Sequence, residues 1–392
     1  MKKSNLIFIG ILLVLMGCGG DRSATDSLVT VDVTANYPKK ELILQDVMDV
    51  EYILLETTDE FLTRGKVMDV GRDIVLVTNA REGDILIFDR TTGQGVRKIN
   101  RRGQGAEEYL MLVNLILDEA AGEMFANDGP SSKIQVYDLL GNFKRSLPYK
   151  KGAFVSNLYN YDKDYLLCQD TYAADNTDLV NSFFLITKHD GSMTDIEIPV
   201  EKKISTVIME RVGNAVYANG PRNSLIVPFQ GNWIITEPSS DTVYMNQPDN
   251  SLHPFMVRTP SVQTMEPEVF LFPGVLTGRY YFMQTVKKEY DFEADKGLPA
   301  TDLVYDRQEN KLYRYTVCNN DFSGRTEDVS QRSINNETAF YVTLEAPALV
   351  EAYGKGQLKG ELQEMAASLD EEDNPVIMLV KHNVSGKSSY HK

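Results

Sequence analysis

The sequence is poor in the residues that usually build metal and redox sites. It contains 392 residues but only three cysteines, four histidines and one tryptophan. No two histidines are spaced as zinc ligands, and a zinc site needs three or four convergent nitrogen, sulfur or oxygen ligands, so we expect no zinc. Cys168 and Cys318 lie in strand-like apolar runs. We interpret both as buried small hydrophobic residues rather than as a disulfide.

Basic charge is also scarce. Forty Lys and Arg residues stand against 56 Asp and Glu residues, and the formal net charge is −16. Because affinity for nucleic acids depends largely on Lys and Arg contacts to phosphates, this balance argues against a nucleic-acid partner. It favours a soluble monomer instead. No Gly-x-Ser-x-Gly motif of serine hydrolases is present, and no Gly-Lys-Ser/Thr follows the glycines at 103 and 105.

The start of the chain has the pattern of a secretory signal. Lys2 and Lys3 precede an apolar run at residues 6–16, which is too short to span a bilayer comfortably. Gly17-Cys18 follows and resembles a bacterial lipobox, in which the cysteine is lipidated and becomes the new N-terminus. We therefore predict a signal peptide at residues 1–17, a lipid anchor on Cys18 and a flexible tether at 18–40. An uncleaved N-terminal anchor is the alternative.

Strand patterns dominate from residue 41 onward, and one unit of them repeats. ILIFD at 85–89, followed by a glycine at 93, matches IQVYD at 134–138, followed by a glycine at 141. Further copies lie at 183–186, 242–244, 302–306 and 375–380. Six units of antiparallel strands predict an all-β fold, a six-bladed β-propeller at residues 41–385, with a tail at 386–392. Seven blades, or a sandwich plus an extra domain, are the alternatives.

Two segments do not fit the repeated unit. Residues 41–56 precede the first unit, and we predict that they add a closing strand to the last blade, which leaves fewer open edges in the ring. Residues 355–370 place Leu358, Leu362 and Met365 at helical spacing. That spacing predicts a short helical insertion in the last blade. The insertion either covers the blade or binds a partner.

Residues 101–119 join the first two units and carry the most distinctive motif. GQGAEEY at 103–109 resembles the joint after the first blade in the six-bladed β-propeller lipoproteins of Bacteroidetes, with Ala106 and Glu107 in place of that family's Pro and Gly. LLET at 54–57, GK at 65–66 and DNP at 373–375 also stand in the order typical of that family. The resemblance implies a propeller fold of the NHL or TolB-like type, located at the cell envelope. It implies no particular reaction.

Five residues are candidate ligand contacts, and none is predicted to be catalytic. Arg101 and Arg102 form the most basic point of the chain and could contact an acidic ligand, or they could simply offset the neighbouring glutamates. Tyr159, Tyr161 and Tyr172 lie near predicted turns, where exposed aromatic rings can form platforms for sugars. Propeller strands also bury tyrosines, so a core position is the alternative for each of them.

These patterns favour a binding or scaffold protein over an enzyme. We predict a monomeric outer-membrane lipoprotein, on the periplasmic or the surface face, that recognises a glycan, peptide or envelope protein at a propeller mouth without a cofactor. The alternative is a hydrolase or lyase with an acidic site at the central channel, assisted by calcium as in regucalcin-like propellers. Three or more convergent Asp, Glu, Asn or His side chains there would favour the enzyme. A purely structural role would require a large apolar patch on one face.

Overall fold

The computed structural model describes residues 28–171, 181–330 and 333–382. Its strands form six sheets arranged in a ring, so the protein is an all-β, six-bladed propeller. The fold predicted from the sequence is confirmed. Three short α-helices are present in the described residues. We number the blades 1 to 6 in chain order from the first complete sheet.

The described chain begins with three strands that belong to the last three blades. They are β1 (Val29–Asp32), β2 (Lys39–Ile43) and β3 (Asp49–Leu54), with helix α1 (Leu44–Val47) between β2 and β3.

Blades 1 to 3 each consist of four antiparallel strands in sequence order. Blade 1 comprises β4 (Lys66–Val70), β5 (Ile74–Asn79), β6 (Asp84–Asp89) and β7 (Gly95–Asn100). Blade 2 comprises β8 (Leu112–Asp118), β9 (Glu123–Asp128), β10 (Lys133–Asp138) and β11 (Phe143–Pro148). Blade 3 comprises β12 (Val155–Asn160), β13 (Tyr165–Asp170), β14 (Phe183–Thr187) and β15 (Met193–Ile196).

Blades 4 and 5 follow the same plan but carry added hairpins and strands. The joint before blade 4 contains the hairpin β16 (Ile208–Val212) and β17 (Ala215–Asn219). Blade 4 comprises β18 (Ile226–Phe229), β19 (Asn232–Ile235), β20 (Thr242–Asn246) and β21 (Leu252–Thr259). Blade 5 begins with β22 (Val269–Leu276) and β23 (Tyr280–Lys287), followed by the small hairpin β24 (Tyr290–Asp291) and β25 (Lys296–Gly297). It continues with β26 (Ala300–Asp306) and β27 (Lys311–Cys318), against which β28 (Thr326–Glu327) pairs.

Blade 6 has three ladder strands in the order β29 (Thr338–Leu344), β30 (Val376–Lys381) and β3. Residues 328–335, described except for 331 and 332, take the innermost position without forming a ladder strand. Ile334 lines the channel together with Tyr341, and the Asn335 side-chain N–H donates to the Val70 carbonyl of blade 1 at 2.8 Å.

Helices α2 (Ala346–Gly354) and α3 (Gly360–Ala366) form an insertion between β29 and β30. The insertion predicted in the last blade is therefore present, but it starts earlier than residue 355 and consists of two helices. Gly356 has a φ of 64°, in the left-handed region that favours glycine, and this conformation interrupts the helical path. The buried positions Leu349 and Leu362 pack both helices onto the blade 6 core.

The predicted flexible tether is wrong for residues 28–40, which contain strands. β1 pairs in parallel with β21, and β2 pairs in parallel with β27, as the outermost strands of blades 4 and 5. β3 pairs antiparallel with β30 in blade 6. The segment is held because alternate residues are buried: Val29 and Val31 face the core and Thr30 faces solvent. Residues 18–27 lie outside the described part of the chain.

The strand order defines two faces of the ring. We call the face at which the first strand of blades 1 to 5 starts the upper face, and the opposite one the lower face. Because the strands alternate in direction, the joints between blades and the loops between second and third strands lie at the upper face. The hairpin β16–β17, the hairpin β24–β25 and helices α2 and α3 are therefore on the upper face.

The repeated aspartate and glycine of the sequence units are turn residues. The Asp89 carboxylate accepts the backbone N–H groups two and three positions further on, at 3.0 and 2.7 Å, and Asp138 closes the equivalent turn in blade 2. Gly93, Gly141 and Gly191 then adopt φ values of 70°, 85° and 77°. These hairpins need the left-handed conformation, which glycine adopts without a steric cost.

The middle strands are buried on both faces because each blade packs against two neighbours. All six residues of β9 are buried, as are five of the six in β6. This explains why these strands have continuous apolar runs instead of alternation. Cys168 is buried in β13, as predicted, whereas Cys318 is only half-buried in β27; both are free thiols in the structure. Burial raises the pKa of the Cys168 thiol.

Candidate functional site

Two adjoining cavities open along the central channel. One, of about 300 Å³, is lined by Lys66, Met68, Asn114, Ser156 and Tyr341, among others. The second, of about 290 Å³, opens at the upper mouth and is also lined by Ser156. The first strands of blades 1 to 3 and the inner segment of blade 6 thus surround a space that is lined by both polar and apolar side chains.

Amide side chains line this space because the first strand of each blade is an open edge. The backbone N–H and C=O groups on the channel-facing edge of this strand have no neighbouring strand and need other hydrogen-bond partners. The Asn114 side-chain N–H donates to the Ser156 carbonyl of the next blade at 2.9 Å, and Asn160 donates in return to the Leu117 carbonyl at 3.2 Å. The channel amides therefore join neighbouring blades at their inner edges.

One channel amide retains an unused acceptor. Asn114 is 3% exposed, and its side-chain oxygen has no hydrogen-bond partner. An unsatisfied buried carbonyl costs about 1–3 kcal/mol. Asn114 lines the channel cavity, but this oxygen is itself buried, so it is an unsatisfied acceptor in the wall of the channel.

The second cavity carries further amide and hydroxyl groups. Its polar lining consists of Ser156, Asn157, Gln169, Thr171, Thr206, Arg222 and Asn223. The Asn157 N–H donates to the Gln169 side-chain oxygen at 2.5 Å, and the Asn223 N–H donates to the Gln284 side-chain oxygen at 3.0 Å. No carboxylate lines either channel cavity in the described part of the chain. Neutral amides and hydroxyls bind polar groups but do not perform acid–base chemistry at neutral pH.

Ionisable groups lie next to this wall. The Gln284 side-chain N–H donates to the Asp302 carboxylate at 2.8 Å, and partial desolvation raises the pKa of Asp302. Tyr315 is packed nearby, and its pKa is raised by burial and by the charges of Asp302 and Asp328. Asp302 belongs to the third strand of blade 5, so it supports the mouth from behind.

The carboxylate cluster that an enzyme would need at the channel is not present in the described residues. Asp69 lies in the innermost strand of blade 1, and its oxygens accept the Leu117 backbone N–H and the Asn335 side-chain N–H at 2.8 and 2.9 Å. Across residues 28–171, 181–330 and 333–382, no three His, Cys, Asp or Glu side chains converge as a metal site. The described channel therefore meets the asparagine part of the criterion for a hydrolase or lyase, through Asn114, Asn157 and Asn223, but not its carboxylate part.

Arg101 and Arg102 contact backbone carbonyls of the blades. The Arg101 side chain donates to the Gly141 carbonyl at 2.9 Å, and Arg102 donates to the Arg81 carbonyl. No ion pair joins either of them to Glu107 or Glu108 in the described structure, so they do not offset these glutamates. Both arginines hold the joint between blades 1 and 2 against its neighbours.

The GQGAEEY joint is a structural turn. Tyr109 is fully buried and donates its hydroxyl to the Gly83 carbonyl at 2.7 Å. Glu108 accepts the Gly105 backbone N–H at 2.8 Å, which occupies a donor that a phosphate would need. Side chains of blade 2, including Gln135 and Tyr137, donate to the carbonyls of residues 106–108.

Tyr159 and Tyr161 are core residues, so their predicted exposure is wrong. They are 1% and 9% exposed, and both pack on Trp233, with ring centroids 5.2 and 6.0 Å away. The Tyr161 hydroxyl donates to the Asn246 side-chain oxygen at 2.8 Å. Their spacing of two residues in a strand was the available signal, because it places both rings on one buried face. Tyr172 and Cys18 lie outside the described residues.

Sequence reasoning missed the channel amides, although a signal for them exists. Asn114, Asn157 and Asn223 stand in or just before the first strands of blades 2, 3 and 4, in VNL, SNL and RNSL. An asparagine at the start of consecutive first strands indicates a polar inner rim. It was overlooked because the third strands have the stronger repeat.

These features define a six-bladed β-propeller with an amide-lined upper mouth. A family model described as a domain of unknown function, DUF4934, matches residues 28–381, and the chain belongs to that family. No curated protein matches the chain. No helix in the described residues is long and apolar enough to cross a membrane.

Three solved structures show different degrees of similarity to this chain. A putative exported protein from Bacteroides fragilis is 15% identical with a TM-score of 0.62, and the alignment covers 91% of this chain and 100% of that one. A DUF4221 member from Bacteroides vulgatus is 8% identical, with a TM-score of 0.45 and coverages of 86% and 97%. A virginiamycin B lyase from Staphylococcus aureus is 11% identical, with a TM-score of 0.33 and coverages of 68% and 88%. The first likeness shows the fold alone, and the other two are too distant to carry an argument.

Proposed function

We propose that the protein is a monomeric cell-envelope lipoprotein, anchored through Cys18, that binds a protein or peptide partner at the upper mouth of its propeller. The observation that carries the proposal is the position of exposed apolar side chains. Eight of the twelve large hydrophobic residues exposed in the described structure lie on upper-face joints and insertions: Leu62, Leu110, Met111, Met209, Val212, Val216, Tyr217 and Tyr353. Exposed apolar groups gathered on one face mark interaction sites.

Four of these residues lie on one short hairpin. In β16–β17, Met209, Val212, Val216 and Tyr217 are 67%, 58%, 54% and 52% exposed. The hairpin has no further strand partner among the described residues, so both of its edges can accept a strand. An extended peptide can pair with such an edge and place alternate side chains against the apolar residues.

The anchor is supported by the N-terminal sequence and by a relative. The Bacteroides fragilis protein of the same fold is described as exported. About ten residues separate Cys18 from β1, and a fully extended chain of that length spans roughly 33–36 Å. A lipid on Cys18 would therefore hold the propeller close to the membrane surface.

Site-specific photocrosslinking tests the partner site. A photoreactive amino acid replaces Tyr217 on the hairpin or, as the control, Val96, which is 54% exposed on the outer strand of blade 1. We expect a discrete crosslinked product in intact cells from position 217, absent from position 96 and lost when Met209→Asp is added. Equal products from both positions would contradict the proposal.

Membrane fractionation tests the anchor separately. Cys18→Ala removes the residue that accepts the lipid. We expect this variant to leave the membrane fraction and to incorporate no labelled palmitate. Cys168→Ala is the matched control, because this thiol is buried and cannot be lipidated in the folded chain. A Cys18→Ala variant that still carries labelled lipid would refute the anchor.

A further inference from the structure

We propose a second ligand site, a pocket for a neutral saccharide between blades 3 and 4, separate from the channel mouth. The cavity measures about 370 Å³, within the range of roughly 300–1,000 Å³ common for small-molecule sites. It lies beside the joint that leaves blade 3. Its polar lining comprises Asn181, Ser182, Glu197, Lys203 and Glu237, and its apolar lining comprises Phe183, Ile196, Ile198, Pro199 and Val200.

Three buried polar side chains form one end of the cavity. Lys203, Glu237 and Ser182 are 4%, 2% and 2% exposed. The Lys203 ammonium donates to the Glu237 carboxylate at 2.5 Å and to the Ser182 hydroxyl at 3.0 Å. The Ser182 hydroxyl lies 3.4 Å from the same carboxylate oxygen as a weak donor. Because Lys203 donates to the serine oxygen, this arrangement suits binding rather than activation of Ser182 as a nucleophile.

The Lys203 ammonium has a hydrogen left over. An ammonium carries three donors, and Lys203 has two acceptors among the described residues. Lys188, a comparably buried lysine at the lower face, uses all three: it donates to Asp118, Asn160 and the Asp162 carbonyl at 2.6, 2.7 and 2.6 Å. The protein therefore satisfies all three donors of Lys188, whereas the described residues leave one donor of Lys203 without an acceptor, beside the cavity.

Glu237 also retains acceptor capacity. One of its oxygens accepts hydrogen bonds from both Lys203 and Ser182. Among the described residues, the other oxygen accepts only the Ser239 backbone N–H, at 3.3 Å. A carboxylate oxygen has two lone pairs, so this second oxygen can accept another donor. The floor of the pocket thus offers a donor and an acceptor side by side.

The charge and shape of the lining select the ligand class. Lys203 contributes one positive charge and Glu197 and Glu237 two negative ones, so an added anionic ligand is disfavoured. An ammonium ligand would be repelled by Lys203 at the floor. A hydroxyl both donates and accepts, so neighbouring hydroxyls of a neutral sugar match Lys203 and Glu237 together. The C–H surface of the sugar can then pack against the apolar wall.

The buried ion pair itself argues for a role beyond stability. Replacing a buried ion pair by apolar residues is often neutral or stabilising, so such a pair is weak evidence for a purely structural contribution. Here the pair lies against a cavity rather than in a filled core. Its retention is explained if its unused donor and acceptor bind a ligand.

Saturation-transfer NMR and calorimetry test the site. The full-length protein is purified in a detergent without a sugar headgroup and is titrated with glucose, galactose, mannose, xylose, rhamnose, fucose, N-acetylglucosamine and their common neutral disaccharides, up to about 10 mM. Glucuronate and glucosamine serve as charged analogues. We expect at least one neutral sugar to bind and its charged analogue to bind more weakly.

Two variants then locate the binding. Val200→Trp fills the cavity from its half-buried wall without touching the ion pair, and Ser182→Ala removes one floor hydroxyl. Each should weaken binding roughly tenfold. Leu140→Trp, at a 60% exposed position on the lower face, is the matched control and should change affinity less than about twofold. Thermal unfolding checks that each variant is folded.

The proposal is overturned if no neutral sugar in the panel binds, or if a bound sugar is unaffected by both pocket variants. Stronger binding of glucuronate or glucosamine than of the neutral sugars would also overturn it. If sugar binding instead responds to the hairpin change Met209→Asp, the sugar belongs to the upper mouth. Failure of the pocket leaves the photocrosslinking result at Tyr217 untouched, so the two proposals fail separately.

Discussion

Replacing Gly93 by alanine tests how the ring is closed between its last and first blades. Gly93 lies in the closing hairpin of blade 1 with a φ of 70°. A Cβ atom there would lie 1.9 Å from the Leu54 carbonyl oxygen, the last residue of β3. The obstructing atom belongs to the backbone, so no side-chain rotation can relieve the contact.

The expected cost has two parts. The left-handed conformation costs a non-glycine residue about 1–2 kcal/mol. The added Cβ atom would also force the blade 1 hairpin away from the closing strand β3. Such overpacking costs about 1–3 kcal/mol. Gly93→Ala should therefore lower the free energy of unfolding by about 2–5 kcal/mol in total.

Gly122→Ala is the matched control. Gly122 also occupies a hairpin turn, with a φ of 63°, but no atom lies within 4 Å of the point that an alanine Cβ would occupy there. Its substitution should cost only the conformational part, about 1–2 kcal/mol. Guanidinium unfolding followed by circular dichroism measures both variants under one set of conditions. Equal losses for Gly93→Ala and Gly122→Ala would refute the claim that the blade 1 hairpin presses on the closing strand.

Three further predictions concern buried charge, pH and the N-terminal strand. Lys188→Met should destabilise by about 3–5 kcal/mol, because it leaves Asp118 buried without its partner, whereas the exposed Lys163→Met should cost about 0–1 kcal/mol; equal losses in denaturant unfolding would contradict this. Asp302→Asn should stabilise the protein slightly at pH 7. Asp302 is exposed, but partial desolvation raises its folded pKa above the ordinary 3.8, so wild-type stability falls as pH rises through that pKa; a stability difference that did not shrink toward pH 3–4 would be inconsistent with it. Val31→Asp should cost about 3 kcal/mol or more because Val31 is fully buried, while the solvent-facing Thr30→Asp should stay within about 0.5 kcal/mol in the same unfolding assay.

The blades could be predicted because their signals are local. The third strands carry apolar runs long enough to be recognised, and those of blades 1 and 2 are each closed by an aspartate and a glycine whose roles depend on the hairpin alone. Residues 84–93 contain the whole hydrogen-bonded turn of blade 1. The same is true of blade 2, so the repeat was visible without any tertiary information.

The closing strand β3 was predicted within residues 41–56, but β1 and β2 could not be predicted because their partners are distant in sequence. β1 contains only four residues, VTVD, and it pairs with residues 256–259. β2, with the sequence KKELI, pairs with residues 314–318. Neither strand has a hydrophobic run of its own. Each depends on backbone hydrogen bonds to the fourth strand of a blade that lies far away in the sequence.

The candidate sites were missed for a related reason. Lys203 and Glu237 are 34 positions apart and meet only when blades 3 and 4 pack. Their charges look like ordinary surface residues in the sequence, where most lysines and glutamates are exposed. Arg101 and Arg102 are predicted ligand contacts because they are adjacent in the sequence. Adjacency, however, does not show that other ligand-binding side chains lie close to them in the fold.

The edges of the blades explain why the upper face is left for binding. The fourth strands of blades 1 and 2, GVRKIN and FKRSLP, carry adjacent basic residues, which discourage pairing with another strand. The fourth strands of blades 4 and 5, LHPFMVRT and KLYRYTVC, are longer and more apolar, and β1 and β2 cover them. β3 covers the edge of blade 6 in the same way. The outer rims of blades 1, 2 and 4 to 6 are thus protected by charge or by the N-terminal segment. In the described structure this leaves β15, at the edge of blade 3, and the exposed hairpin β16–β17 as strands available to a partner.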